Sequence, residues 1–365
     1  MIQTFRNAWK IPELKKKILF TIFALLIFRL GAAVPVPFIN TELLQRTIQA
    51  KSGTIFGLLN TMSGSAFSQA TVFALSIQPY INSSIIIQLL TIAIPALERL
   101  QKEGGEEGRK KIAAITRYTT VAIALLQGFG YYTLIKSYGF IEQSGFWPAI
   151  VIVLSFTAGS AFLMWLGEQI TEFGIGNGIS IILFAGIISR VPTMIATMIT
   201  GVSNYVKGTE LTEAQISAGY TLTKFHPVFV PLFLVGMLLI VIFIVFITNA
   251  ERRIPVQYAK RVVGRKMYGG QSTHLPMKVN MSGVLPIIFA QAIASLPATI
   301  GMFVPSSQTP GTGWNTFLKF FNSSSAAYMI IYFLLIVGFS FFYSTVQFNP
   351  VEIANNLKKN GGFVP

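Results

Sequence analysis

Eight stretches of this chain of 365 residues are continuously apolar over about 20 residues, which limits the possible folds more than any other feature. A helix needs about 20 apolar residues to cross the roughly 30 Å hydrocarbon layer of a membrane. The runs lack the in–out alternation of membrane barrel strands, so the sequence predicts an all-α, multispanning transmembrane protein. The predicted spans are Ile18–Val36, Val72–Ile94, Ala113–Ile135, Phe146–Leu166, Ile179–Thr200, Val228–Ile247, Val284–Val304 and Ala326–Phe348.

Composition excludes a large soluble α/β protein. Only 11% of the residues are charged, against about 25% in an average soluble domain. Buried strands of such a protein run about 5–6 residues, far shorter than these apolar blocks.

The basic residues divide unevenly between the two ends of the predicted spans. If the N-terminal tail 1–17 defines one side, that side receives 19 lysines and arginines, and the other side receives six. Short cytoplasmic loops carry the excess of lysine and arginine in membrane proteins. The sequence therefore predicts that both termini lie in the cytoplasm. Most of the net charge of +15 follows from this bias, which weakens the case for a DNA-binding protein.

Two connections depart from simple loops. Thr54–Ser65, TIFGLLNTMSGS, is apolar but too short to cross a membrane, so it is either an interfacial helix or a re-entrant segment. The other connection, EQITEFGIGNGIS, contains Gly174, Gly176 and Gly178 and predicts a tight cytoplasmic turn. A phosphate-binding loop is the alternative there, but the chain has no GxxxxGK[ST] motif.

The second span is unusually polar for a membrane helix, and Pro79 predicts a kink in it. Its polar residues suit either hydrogen bonds to neighbouring helices or a face that is intermittently wet; the sequence favours neither reading. They are Gln78, Asn82, Ser83, Ser84, Gln88 and Thr91.

Residues suited to catalysis, metal binding or ion coupling are sparse. The chain has no cysteine and only two histidines, and no acidic residue lies at the middle of a predicted span, where ion-coupled transporters usually need one. We therefore expect neither an enzyme nor a cofactor.

The connection between the sixth and seventh spans, residues 249–278, predicts a β-hairpin that turns near Gly264, because Ile254, Val256 and Tyr258 alternate with polar residues. Its seven basic residues either only set the topology or form a docking surface for an acidic partner.

Several strings together resemble the SecY family, the channel subunit of the bacterial protein translocon, and they occur in family order. They are IFRLGAAVPVPFI, PYINSSIIIQLL, EGRKKIAAITRY, MWLGEQITEFGIGNGISII, RRIPVQYAKR, QSTHLPMKVNMSGVLPIIFA and FNPVEIANNLKKNGGFVP. The resemblance implies an inverted-repeat bundle around an hourglass pore, with halves at 18–200 and 201–365. The family's last two spans have no counterpart here, and we expect a truncated or partial chain rather than a natural protein of eight spans.

The resemblance also implies roles for individual residues. The pore ring would be Ile77, Ile81, Leu183 and Ile288. The plug would be Thr54–Ser65, including Ile55, Phe56, Leu58, Leu59 and Asn60. Lateral-gate residues would be Gln88, Thr91 and Asn280. The partner-docking residues would be Arg252, Arg253, Arg261, Arg265 and Lys266.

The implied partners are the SecE and SecG subunits, the SecA motor or the ribosome, signal peptides, unfolded preproteins and lipid, in the bacterial plasma membrane. Energy would come from SecA or from ribosomal synthesis. Two other interpretations share the span pattern: a secondary transporter of small solutes, and an insertase or scaffold without a pore.

Overall fold

The computed structural model describes residues 9–50, 60, 63–102, 104–143, 145–208, 224–258, 261–263, 266–268, 272–301, 313, 317–318, 325–347, 350–359 and 362–363. These residues belong to two compact units. One comprises Met1–Thr193 and Ala294–Met329, and the other comprises Met194–Ile293 and Ile330–Pro365. The predicted halves at 18–200 and 201–365 stay a prediction.

Helices form most of the described chain. In order, they are α1 Pro12–Gly31, α2 Thr41–Ala50, α3 Gln78–Ala93, α4 Pro95–Lys102, α5 Gly105–Ser137, α6 Phe146–Phe173, α7 Gly178–Ile188, α8 Val191–Val206, α9 Phe229–Asn249, α10 Leu285–Gly301, α11 Ala326–Gln347 and α12 Pro350–Lys359. Each of the eight predicted spans overlaps at least one of these helices, which confirms the all-α prediction for the membrane part.

Five helical stretches among the described residues are long and apolar enough to cross a membrane, or six if the bent pair α3 and α4 counts as one span. One of these stretches, Gly178–Val206, corresponds to the fifth predicted span and consists of α7 and α8 with a turn at Ser189 and Arg190 between them. Helix α9 has no buried residue along its whole length, as expected for a helix that faces lipid.

The predicted end of span 1 and the predicted start of span 2 are wrong. Residues 32–36 and 72–77 are not helical; instead the two segments pair, with the Val36 amide donating to the Ala70 carbonyl and the Val72 amide to the Val34 carbonyl, both at 3.0 Å. Pro35 lies in this bridge, opposite Thr71. A proline with no N–H cannot continue a helix but fits this extended pairing.

A proline bends the second span, but the bend is at Pro95 and not at Pro79, where a kink was predicted. Pro79 lies in the first turn of α3, where a proline costs nothing and causes no kink. The bend comes at the other end, where Ile94 is extended and Pro95 begins α4 at 105° to α3. The residue before a proline avoids the helical region, which explains why α3 ends at Ala93.

The hydrophobic core of the first unit lies between α5, α6 and the two paired segments. Tyr131 of α5 is at its centre: its ring stacks on Phe67 at 4.5 Å and lies 5.0 Å from Phe156 of α6. The Tyr131 hydroxyl donates to the Phe67 carbonyl. A buried tyrosine with a satisfied hydroxyl holds the segment after residue 63 against the helices.

A β-hairpin connects α9 and α10, as predicted. Its strands are β1 Glu251–Tyr258, β2 Arg261–Val263, β3 Lys266–Tyr268 and β4 Ser272–Lys278. Strand β1 pairs antiparallel with β4, and β2 with β3, with Val263 opposite Lys266; the turn predicted near Gly264 lies outside the described residues. A last strand, β5 Gly362–Phe363, pairs with β1 and was not predicted.

Candidate functional site

One face of α3 carries two of the predicted residue groups. Ile77, which directly precedes the helix, is followed by Ile81, Ser84, Gln88 and Thr91 at helical spacing, so these residues share a stripe. The Ile77 carbonyl accepts the amide hydrogen of Ile81 at 3.1 Å, which joins Ile77 to the helix. The stripe is therefore apolar at its first two positions and polar at its last three.

Ile77 is fully buried and its side chain lies against Gly167 of α6. A Cβ on Gly167 would lie 3.5 Å from Cδ1 of Ile77 and of Ile182, and 2.6 Å from Cδ1 of Ile179. The glycine thus brings α3, α6 and α7 together at the level of the predicted ring.

Two neighbouring residues on α7 differ in burial. Ile182 is 1% exposed, whereas the predicted ring residue Leu183 is only half-buried. Successive residues of a helix point about 100° apart. Packing on α6 therefore uses Ile182 and leaves part of the Leu183 side chain free.

Two neighbouring residues on α10, in the second unit, also differ in burial. Phe289 is buried and its ring packs on Phe339 and Tyr343 of α11, at 5.6 and 6.2 Å. The predicted ring residue Ile288 precedes it and is half-buried. The ring itself joins residues of both units, so it stays a prediction.

The predicted gate residues have short-range hydrogen bonds. The Thr91 hydroxyl donates to the Gln88 carbonyl at 2.7 Å. In the second unit, Asn280 Oδ1 accepts the Gly283 amide at 3.0 Å and the Ser282 hydroxyl at 3.3 Å. Asn280 thus orders the turn before α10, a role that the sequence did not indicate.

A hydroxyl pair joins the start of α10 to α11. The Oγ atoms of Ser282 and Ser340 lie 3.3 Å apart, and Ser282 is buried. This contact ties the turn before α10 to α11.

Only the end of the predicted plug falls within the described residues; Ile55, Phe56, Leu58 and Leu59 lie outside them. Asn60 is buried. Its Oδ1 accepts the Ser68 amide at 3.0 Å, and its carbonyl accepts the Ser65 amide at 2.9 Å and the Ser63 hydroxyl at 3.2 Å. These bonds tie the end of the segment to the chain that follows it.

Gly64 places this segment against α7. It has a φ of 63°, and a Cβ there would lie 2.7 Å from Ser189 Oγ and 3.1 Å from the Gly186 carbonyl oxygen. Only glycine suits this conformation and this close approach. The end of the predicted plug therefore rests on the C-terminal end of the helix that carries Leu183.

The glycine-rich turn between α6 and α7 is held by two threonines that sequence analysis missed. Thr21 Oγ1 of α1 accepts the Ile175 amide at 3.1 Å, and Thr171 Oγ1 accepts the Gly178 amide at 2.9 Å. A Cβ on Gly178 would lie 2.0 Å from the Gly167 carbonyl oxygen, so the glycine permits close contact with α6. Contacts with α1 and α6 therefore hold the two ends of this turn.

The polar residues of α3 fit both predicted roles, hydrogen bonding to neighbouring helices and lining an intermittently wet face. The Ser83 hydroxyl donates to the Thr116 carbonyl of α5 at 2.8 Å, a bond between helices. By contrast, Gln78 Oε1 and Asn82 Oδ1 are buried without a hydrogen-bond partner in the described part of the chain. Such acceptors cost about 1–3 kcal/mol each unless water reaches them. This side of α3 is thus suited to hydration.

An ion pair joins α5 and α6 toward the predicted cytoplasmic side. Arg117 Nε donates to Glu168 Oε1 at 2.9 Å, and the two side chains are partly exposed. Sequence analysis did not identify this pair.

The two arginines at the start of the hairpin face opposite ways. Side chains alternate along a strand, so Arg253 shares a face with His274 and Lys278, while Arg252 shares the other with Ile254. All but the half-buried Ile254 are exposed. Arg261 lies in β2 and Lys266 in β3, and Arg265 lies outside the described residues.

Comparison with known proteins agrees with this geometry. The SecY family pattern matches residues 71–365. The protein translocase subunit SecY of Streptomyces coelicolor (strain ATCC BAA-471 / A3(2) / M145) is 41% identical, over 100% of this chain and 81% of that protein. The same subunit of Buchnera aphidicola subsp. Acyrthosiphon kondoi is 44% identical, over 97% of this chain and 95% of that protein.

Solved structures show the same fold. "The structure of a protein conducting channel" aligns with a TM-score of 0.62 at 17% identity, over 96% of this chain and 77% of that one. "Sec61 in the Canine ribosome-channel complex from the endoplasmic reticulum" aligns with a TM-score of 0.59 at 16% identity, over 95% and 76%. The predicted helical bundle is confirmed, and this multispanning membrane protein belongs to the SecY family.

Proposed function

We propose that this protein is the channel subunit of a protein translocase, which passes unfolded secretory proteins across a membrane and releases transmembrane segments sideways into lipid. Its curated relatives are named as subunits of a protein translocase. The observation that carries the proposal is the stripe on α3, where Ile77 and Ile81 lie in line with Ser84, Gln88 and Thr91. One helix face thus supplies both an apolar constriction and a polar seam.

The proposed constriction is a ring of Ile77, Ile81, Leu183 and Ile288. A translocating polypeptide presents every type of side chain, so the ring must bind none of them strongly. Branched apolar side chains form a deformable seal that dewets when empty and blocks ions. The partial exposure of Leu183 and Ile288 supports this role, because part of each side chain is not used for packing, whereas Ile77 and Ile81 are buried.

The proposed lateral gate has a few hydrogen-bonding groups rather than a continuous apolar interface. Gln88 and Thr91 would stand on one side and Asn280 on the other. Polar contacts between membrane helices contribute about 0.6–2 kcal/mol each. A gate closed by so few of them opens when the apolar helix of a signal peptide inserts.

The proposed plug is Thr54–Ser65. Docking of Gly64 on α7 and the bonds of Asn60 support it, because they anchor the end of the segment to the helix that carries a ring residue. A segment of 12 residues is too short to become a stable span, so it is suited to leave the channel during transport.

The proposed partners follow from the family and from the basic hairpin. Arg252 and Arg253 lie exposed on β1, where they can attract the SecA motor or the ribosome. SecE and SecG would complete the channel in a bacterial plasma membrane, with the N-terminus in the cytoplasm. The distribution of basic residues supports that orientation.

Transport of a preprotein into vesicles tests the proposal. The chain is reconstituted with SecE and SecG, and SecA, ATP and an unfolded preprotein are added outside. We expect protease-protected preprotein that depends on both SecA and ATP, as a translocase requires. A small-solute transporter would protect none of it, and that result would contradict the proposal.

A further inference from the structure

Strand β1 is the middle strand of a three-stranded sheet in the order β4–β1–β5. Its pairing with β4 covers seven residue pairs, from Glu251 opposite Lys278 onward. Among the residues that the structure describes, its other edge is paired at two positions, with Gln257 opposite Phe363 and Tyr258 opposite Gly362. The last strand therefore covers one end of that edge, which we call the outer edge of β1.

The prolines of the hairpin show which backbone groups face outward. Pro255 lies opposite His274, and Pro276 lies opposite Arg253. In an antiparallel ladder, hydrogen-bonded and non-hydrogen-bonded pairs alternate. A proline has no N–H, so both prolines fit at non-hydrogen-bonded pairs, where the amide positions point away from the partner strand. By the same alternation, Gln257 directs its N–H and C=O to the outer edge.

Pro255 thus limits the third strand. The residue two positions before Gln257 on the outer edge has no hydrogen to donate, so pairing with β5 cannot continue there as a full ladder. On the other strand, the sequence has Pro365 two residues after Phe363, which also has no N–H. Both sequences that meet at this edge therefore have a proline where the next hydrogen bond of the ladder would need an N–H.

We propose that Gly362–Phe363 forms a detachable clip, which holds the segment after α11 to the hairpin at rest and leaves its outer edge during transport. In the described part of the chain, two residue pairs hold the clip and seven join β1 to β4, so the clip can open while the hairpin stays folded. Helix α12 joins the clip to α11. A movement of the hairpin is thereby passed to a membrane helix.

The proposal rests on the proposed function in one respect, because it takes the hairpin as the surface on which a partner docks. The backbone N–H and C=O of Arg253 point to the same outer edge as those of Gln257, while its side chain projects from the face of the sheet. A partner that binds this side chain and also pairs with the outer edge competes with the clip.

Disulfide formation tests the pairing itself. The chain has no cysteine, so Gln257→Cys with Phe363→Cys introduces a single possible bridge. Paired residues of an antiparallel ladder have Cα atoms about 4.5–5.5 Å apart, within the range for a disulfide. The matched control is Glu251→Cys with Phe363→Cys, because position 251 lies about 20 Å further along β1.

Under mild oxidation in membranes, we expect the 257/363 bridge to form at least tenfold faster than the 251/363 control. Equal rates would overturn the pairing. Tyr258→Cys with Gly362→Cys tests the adjacent pair independently, in case the first variant folds poorly. Slow bridging in both adjacent pairs would also overturn it.

Transport in the oxidised and reduced forms then tests detachment. With the 257/363 bridge closed, we expect protection of the preprotein to fall at least fivefold and to recover after reduction, while each single-cysteine variant is insensitive to oxidant. Equal transport in both forms would overturn the detachable clip and leave the channel function standing. Failure of the unsubstituted chain to transport at all would instead contradict the proposed function, and the bridging rates would still decide the pairing.

Discussion

Gly64 lies against the C-terminal end of α7, so closely that a Cβ at this position would lie 2.7 Å from Oγ of Ser189. The contact fixes the end of the proposed plug to the helix that carries Leu183. It also provides a direct way to disturb the plug without altering the ring.

Replacing Gly64 with alanine should open the resting channel. The substitution combines a left-handed backbone, which costs about 1–2 kcal/mol for an L-residue, with a clash against Ser189 and the Gly186 carbonyl. Gly139→Ala is the matched control, since Gly139 has a φ of 72° and no atom within 4 Å of its Cβ position. We expect raised ion conductance in planar bilayers for Gly64→Ala alone. Equal conductance in both variants would show that the plug end does not seal the channel.

Ser83→Ala should loosen α3 from α5. The bond from Ser83 to the Thr116 carbonyl is buried, and such bonds between membrane helices contribute about 0.6–2 kcal/mol. Ser84→Ala removes a hydroxyl from the next residue, on the stripe side of α3, and serves as the control. Thermal unfolding in detergent should show a lower Tm for Ser83→Ala only. A matching fall for Ser84→Ala would mean that the bond to Thr116 is not the stabilising contact.

Thr21→Val should free the turn between α6 and α7. Valine keeps the shape of threonine but cannot accept the Ile175 amide. Loss of a hydrogen bond worth about 1 kcal/mol raises amide exchange about fivefold. Hydrogen exchange at Ile175 measures this, with Thr200→Val as the control because the Thr200 hydroxyl bonds within its own helix. Unchanged exchange at Ile175 would contradict the anchoring role of Thr21.

Arg253→Glu and Arg252→Glu should differ in their effect on partner binding, although the two residues are neighbours. Arg253 shares its strand face with Lys278 and His274, whereas Arg252 faces the opposite side. We expect Arg253→Glu to weaken SecA or ribosome binding about fivefold, and Arg252→Glu to weaken it less. The difference should shrink in high salt, which screens exposed charges. Equal losses of affinity for the two variants in a binding titration would contradict a preference of the partner for the face of the sheet that carries Arg253.

The spans and the hairpin were predictable because their signals are local. Apolar runs of 20 residues determine a membrane helix wherever they occur, and alternation around Ile254 and Val256 determines a strand. Span ends were less predictable: the segment from Val34 to Val36 leaves α1 because it pairs with residues 70–72, which are far away in sequence. Strand β5 was missed for the same reason, since a pair such as Gln257 and Phe363 has no local signal.

Within the site, residue type alone did not predict which side chains are buried and which are partly exposed. Ile182 and Leu183 are adjacent and both aliphatic, yet only Ile182 is fully buried. Nothing local distinguishes Thr21 and Thr171 from other helical threonines. Their role depends on where the α6–α7 turn comes to rest, which only the packed structure reveals.

The central claim is that a ring of aliphatic side chains seals the channel, and resting conductance measures it most directly. Leu183→Ser with Ile288→Ser removes two ring members from α7 and α10. Phe184→Ser with Ile287→Ser is the matched control, because these neighbours are 62% and 45% exposed and point elsewhere on the same helices. In planar bilayers without a preprotein, we predict a steady ion leak for the ring variant and none for the control. A ring variant as tight as the unsubstituted protein would contradict the account.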